Sequence, residues 1–299
     1  MGYEHCTLCP RQCGVNRAVG ELGFCKMPAE LRAARAALHF WEEPVISGAH
    51  GSGAVFFSGC TLRCLFCQNQ EISDGGFGAA LTSGRLREIF EELIAQGAHN
   101  INLVTPTHFL PSILPALTPK LPVPVVYNCG GYERVETLQQ LDGLVDIYLP
   151  DLKYADRNLA RKLSAAPNYF EVATAAIQEM VRQTGPCIVE NGLLKRGTVI
   201  RHLVLPAQVG NSLDVLEWIG RTFAPGTVMV SLMSQYVPFG KASEISPFNR
   251  RVTEDEYAAV ESWLPLCGLS DGFTQDFLAA TVQYIPSFDL QGVVKVPAK

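Results

Sequence analysis

Phe57-Ser-Gly-Cys60-Thr-Leu-Arg-Cys64-Leu-Phe-Cys67-Gln-Asn69 follows directly on the apolar run Ala54-Val-Phe-Phe57. A buried strand that ends in a cysteine loop fits an α/β chain whose chemistry gathers at strand exits. Three thiolates at C-x3-C-x2-C spacing can wrap one small cluster of soft metal ions. A cubane iron–sulfur cluster normally takes four cysteines, yet the next cysteine after the triplet is Cys129. A cluster held by three thiolates keeps one iron open to a ligand that is not protein, the logic that separates catalytic from structural zinc. The alternative is a ferredoxin-like or zinc site completed by a distant fourth cysteine.

Outward from this loop the chain alternates. Apolar runs at 54–57, 100–104, 123–127, 145–149, 199–205 and 227–233 read as strands. Segments 85–96, 109–117, 133–142, 156–164, 171–184 and 213–221 read as helices between them. The alternation predicts a parallel α/β fold with right-handed crossovers and a site at the C-terminal strand ends. It leaves open whether the sheet begins to close. A further amphipathic helix is expected at 253–264, followed by a tail.

The 299 residues suffice for a full core, and 47% hydrophobic with 18% charged residues is a globular composition. A net charge of −5 without a Lys/Arg cluster speaks against nucleic acid. No apolar run reaches the length of a membrane span, and the first residues lack the pattern of a signal peptide. Ten cysteines then suggest metal binding in a reducing cytoplasm rather than disulfides. Cys6, Cys9, Cys13 and Cys25 form a second cluster among glycines and prolines that suit chelating turns. Four sulfurs so close in sequence fit a closed site, either structural zinc or an auxiliary iron–sulfur cluster.

The Phe57–Asn69 run resembles the signature of the radical S-adenosylmethionine (radical SAM) superfamily, within it the activating enzymes of pyruvate formate-lyase. That branch carries Phe-x-Gly-Cys-x-x-Arg-Cys-x-Tyr/Phe-Cys-x-Asn. Glu42-Glu-Pro-x-x-Ser-Gly-x-x-Gly-Ser-Gly53 and the N-terminal cysteines resemble a side branch of the same group. The resemblance covers residues 50 to 240. It implies an α/β fold of the TIM-like, partial (β/α)6 type at 46–245. A Cys-rich module would precede it at 1–45, and a C-terminal helix and tail at 246–299 would pack on the barrel.

The resemblance also assigns roles at the strand exits. Cys60, Cys64 and Cys67 would hold a [4Fe-4S] cluster and Phe66 would back the adenine of S-adenosylmethionine (SAM). Thr105-Pro-Thr-His108 stands where the superfamily has a Gly-Gly-Glu-Pro-like segment, so Thr105, Thr107 or His108 would receive the SAM amino group through a hydroxyl, an imidazole or backbone carbonyls. Asn128 and Cys129 match an Asp-Thr pair, the Asp of which helps hold a monovalent cation. Asp151 and Lys153 match Leu-Asp-Leu-Lys, the cationic amine suiting the SAM carboxylate. Arg201, charged within an apolar strand, needs a partner, either a core carboxylate or the SAM ribose region; His202, on the opposite face, reads as structural. Gln235 or Tyr236 would replace a family histidine.

The implied chemistry is reductive cleavage of SAM and hydrogen abstraction from a substrate, with electrons from a flavodoxin- or ferredoxin-type donor. Three readings compete: glycyl-radical generation on a partner enzyme, modification of a small molecule or another peptide, and a non-catalytic iron–sulfur or zinc protein.

Overall fold

The computed structural model describes residues 2–275 and 286–295. Its core is one sheet of β1 (Leu31–His39), β2 (Ser52–Phe57), β3 (Ala79–Leu81), β4 (Ile101–Val104), β5 (Val125–Cys129), β6 (Ile147–Pro150), β7 (Ile188–Glu190), β8 (Leu193–Leu203), β9 (Met229–Met233) and β10 (Gly272–Thr274). The strand order is β10-β9-β8-β6-β5-β4-β2-β1-β3, with β7 paired to β8 as a hairpin. From β2 to β10 every pairing along that path is parallel, and the two ends do not meet. This is a mixed α/β fold with an unclosed parallel sheet: the alternation predicts the parallel sheet, and the resemblance implies the partial barrel.

The sheet is covered on both faces. Every residue of β2, β4, β5 and β6 is buried, the pattern of parallel strands between layers. Helix Ser83–Ala95 presents Leu86, Ile89, Phe90 and Leu93 to the core, and the Thr82 side chain caps it by accepting from the Arg85 N–H. Helix Arg157–Ser164 is capped in the same way by Asp156. Helix Glu254–Glu261 starts in a capping box of Thr253 and Glu256, and Tyr257 donates its hydroxyl to the Leu232 carbonyl at 3.1 Å.

Several elements depart from the sequence reading. The helix expected at 109–117 is a chain of short turns, because Pro111 and Pro115 each remove a donor from the i→i−4 ladder. Strand β5 starts after Pro124 and runs on to Cys129, so Asn128 and Cys129 are strand residues rather than residues beyond one.

The largest difference is β1. Leu-Arg-Ala-Ala-Arg-Ala-Ala-Leu-His has helical propensity, yet it pairs antiparallel with both β2 and β3. The sheet therefore begins at Leu31, and residues 1–45 are not a module separate from it. Residues 286–295 also run along this strand, where Leu290 N–H donates to Ala34 O and Ala36 N–H to Gln291 O. The remainder of the tail expected to pack on the barrel, 276–285 and 296–299, lies outside the described residues. Among the described residues no helix is long and apolar enough to cross a membrane.

Between β1 and β2 the chain turns into the sheet's inner face. The short helix Pro44–Ser47 buries Ile46 completely against Val126, Ile147, Leu149, Leu194 and Val199. Asn100 anchors it, donating from Nδ2 to the Ile46 carbonyl at 2.7 Å while accepting from Ser52 Oγ at 2.5 Å. This plug sets Glu42 and Glu43 one layer above it, level with the polar residues at the strand ends.

Candidate active site

The loop after β2 opens into a cavity of about 240 Å3. Cys60, Cys64 and Cys67 line it together with Asn128, Asp151 and Lys153, and Phe66, Arg201 and Gln235 line it as well. Gly59 makes the turn possible. Its φ is +82°, and a Cβ there would lie 2.9 Å from the Cys25 carbonyl and 3.1 Å from His108 Nε2.

Each cysteine of the triplet accepts a hydrogen bond. Leu62 N–H reaches Cys60 Sγ at 3.3 Å, Ser164 Oγ reaches Cys64 Sγ at 3.0 Å, and Ser73 Oγ reaches Cys67 Sγ at 3.3 Å. Burial, reinforced by the charges of Cys64 and Cys67, pushes the Cys60 thiol up to about 12. Burial and Cys64 raise Cys67 likewise. Cys129 also borders the cavity, but the groups acting on its thiol are Glu133, Asp151 and Arg201, and it hydrogen-bonds to Glu133.

The same cavity borders a buried polar network. Arg201 donates from Nε to Asp151 Oδ1 at 2.8 Å, from Nη1 to Glu42 Oε2 at 3.1 Å and from Nη2 to Asn128 Oδ1 at 2.6 Å. Asp151 Oδ2 accepts from Lys153 Nζ at 2.5 Å. Glu42 Oε1 accepts from Asn102 Nδ2 at 3.1 Å and Asn128 Nδ2 at 3.2 Å. Burial would raise Asp151, but Arg201 and Lys153 overcome it and hold the carboxyl below its usual value. Burial outweighs Arg201 at Glu42 and leaves that carboxyl raised. The partner that the sequence required for Arg201 is thus a pair of core carboxylates.

Two expected residues face elsewhere. Thr107 Oγ1 donates to Glu133 Oε1 at 2.7 Å, and His108 Nε2 lies 2.7 Å from the Ser58 carbonyl. Both are buried away from the cavity, and the residue of that segment that lines it is Thr105. Burial lowers His108 to about 3 and, outweighing hydrogen bonds from Thr107 and Tyr127, raises Glu133 to about 8. His202 is structural in geometry, with Nδ1 at 2.6 Å from Leu152 O and Nε2 at 2.8 Å from Ser212 Oγ. Phe66 packs on Tyr236 with ring centroids 5.7 Å apart. Gln235 is tied in through its backbone carbonyl, which accepts from Gln68 Nε2 at 3.2 Å.

The sequence reading missed Glu42, Glu43 and Asn102 as site residues. The available signals were two adjacent acids before a proline and an asparagine inside the apolar run Ile-Asn-Leu-Val.

Cys6, Cys9 and Cys25 are buried and Cys13 is exposed. Their segment is fastened beside the triplet loop. Arg11 donates to the carbonyls of Thr61, Ser164 and Ala165. The buried Arg17 donates to those of Met27, Pro28 and His108. Among the described residues, no three or more His, Cys, Asp or Glu side chains converge as a ready site for a single metal ion.

The chain is 33% identical over 270 residues to the uncharacterized protein MJ0674 of Methanocaldococcus jannaschii, covering 85% of this chain and 72% of that one. It belongs to that protein's family. No protein-family model matches the chain. Among solved structures, methylornithine synthase (PylB) superposes with a TM-score of 0.48 at 17% identity, over 70% of this chain. This chain spans 59% of the length of that enzyme.

Proposed function

We propose that this chain is a radical SAM enzyme, with Cys60, Cys64 and Cys67 holding a [4Fe-4S] cluster and the adjoining cavity receiving SAM. The observation that carries the reading is one cavity lined both by the three cysteines of the loop and by Asn128, Asp151 and Lys153. The donor set suits the cluster. Each sulfur accepts a hydrogen bond, of the kind that tunes cluster potentials, and metal coordination removes the protons that burial favours on Cys60 and Cys67. A cubane carries its irons at separate corners, so its thiolates need not converge on one point.

When bound, the cluster and SAM supply one-electron cleavage of a carbon–sulfur bond and hydrogen abstraction from substrate. The chain's own part is position and exclusion. Lys153, held by Asp151, offers an ammonium to a carboxylate. Arg201 and Glu42 fix both ends of the Asn128 amide, which presents a neutral group where a charged one would bind a cation. Phe66 on Tyr236 makes an apolar wall for a flat ring. The N-terminal cysteines would hold zinc or an auxiliary cluster, and a flavodoxin- or ferredoxin-type protein would supply electrons.

Glycyl-radical generation on a partner enzyme remains within this reading. A second cavity that shares Arg201, Met233 and Gln235 with the first favours modification of a small molecule.

The test is anaerobic reconstitution with iron and sulfide, then SAM and dithionite. Wild type should release 5′-deoxyadenosine, and Cys64→Ala should lose that activity by at least a hundredfold. Equal cleavage by the two proteins overturns the proposal.

A further inference from the structure

The second cavity, of about 420 Å3, lies between the Trp41–Pro44 segment and strands β9 and β10. Glu43, Ser231, Phe273 and Trp41 line it, and Arg201 separates it from the first. Glu43 is 8% exposed, and its Oε2 has no hydrogen-bond partner. Ser231 hydrogen-bonds to this carboxylate.

The charges around the two cavities do not balance. Glu42, Glu43 and Asp151 are three acids, while Arg201 and Lys153 are two cations. Asp151 takes a bond from each cation and Glu42 makes the second ion pair of Arg201, whose third contact goes to the neutral Asn128. Among the described residues Glu43 makes no ion pair of its own. A buried carboxylate without a cation is costly unless something binds it. Burial raises the Glu43 carboxyl, Arg201 opposes that, and Glu42 pushes it further up. The backbone carbonyl of Glu43 starts the Pro44–Ser47 turn, while its carboxylate takes hydrogen bonds from its own N–H and from Ser231 but, among the described residues, no cation of its own.

We infer that this second cavity is the substrate subsite and takes a small organic cation, an alkylammonium or guanidinium group set on Glu43 between the rings of Trp41 and Phe273. The inference rests on the radical SAM reading for the word substrate; the cation site itself rests on geometry. A carboxylate with aromatic walls is the usual chemistry for holding such a group. An anion would meet Glu42 and Glu43 and be repelled. The shared Arg201 and Gln235 put a molecule seated here next to the cavity assigned to SAM, where hydrogen abstraction needs it.

Calorimetric titration of the reconstituted full chain, in the presence of SAM, tests this with lysine, cadaverine and agmatine against norleucine, which is lysine without the side-chain amine and carries no net charge, and uncharged 1-hexanol. At least one cation should bind, with its neutral counterpart at least tenfold weaker. Glu43→Gln should abolish that preference while melting no lower than wild type, because it removes a buried unpaired charge. Trp41→Ala, at a side chain 60% exposed, should keep the fold and weaken the cation several-fold. Equal binding of cations and neutral analogues, no binding of any cation, or an unchanged preference in both variants overturns the inference. Binding needs no turnover, so amine binding without SAM cleavage sinks the radical SAM reading and spares the cation site. SAM cleavage without amine binding does the reverse.

Discussion

Replacing Arg201 by methionine tests the buried network directly. The guanidinium donates to all three of Asp151, Glu42 and Asn128. Its loss leaves Glu42 facing two amides and no cation, while Asp151 keeps Lys153. Removing one partner of a buried pair typically costs about 3–5 kcal/mol. Protonation limits that cost, because Glu42 can neutralise. From its unperturbed value of 4.5 that takes roughly 3 kcal/mol at pH 7 and under about 1 kcal/mol at pH 5.

The sign follows. Glu42 is already raised in the folded protein and rises further without Arg201, so the variant's penalty is small near the unfolded value and grows as pH increases. Asp151 is lowered, so its contribution in wild type is intact at pH 5 and is lost only in more acid solution. Arg201→Met should therefore lose about 3 kcal/mol at pH 7 and about 1 kcal/mol at pH 5. Urea denaturation of the full chain followed by tryptophan fluorescence reads this as a shift in midpoint at constant slope. Adding Glu42→Gln should recover roughly 1–3 kcal/mol at pH 7. A deficit below about 1 kcal/mol at pH 7, or one that stays constant or grows on acidification, refutes the reasoning.

Two further outcomes follow from the same geometry. Ile46→Ala empties the fully buried anchor of the plug and should cost about 2–5 kcal/mol in a denaturation curve; a loss under 1 kcal/mol would mean that the plug does not fill the sheet's inner face. Cys9→Ser should reduce bound metal by the content of the N-terminal site alone, leaving SAM cleavage measurable. Elemental analysis then reports zinc or iron there, and unchanged metal content contradicts a site at Cys6, Cys9, Cys13 and Cys25.

Much of the site was legible because its residues were anomalous for their local setting. Three cysteines after an apolar strand, Asp151 and Lys153 at another strand's exit, and Arg201 inside Val-Ile-Arg-His-Leu each demanded a partner. The structure brings them to one cavity. Helix Ser83–Ala95 was legible from period alone, since its core face follows the 3.6 repeat. Thr107 and His108 were misleading because they lie in the right segment with the right chemistry. Their direction depended on Glu133 and the Ser58 carbonyl, which neighbour them only after folding.

By itself the sequence determined the alternating strands and helices, the cysteine loop after the first parallel strand, and the polar residues at later exits. Those are local properties, set by side-chain period and by what a buried strand tolerates. Only the tertiary structure decided that Ala-rich Leu31–His39 is a strand, since two flanking strands satisfy its backbone and override its helical propensity. It also decided that Glu42 and Glu43 are inside. Nothing local in Glu-Glu-Pro places two adjacent acids inside until Ile46 is buried among strands from across the chain. That burial carries the carboxylates in with it, because the apolar anchor lies three residues away.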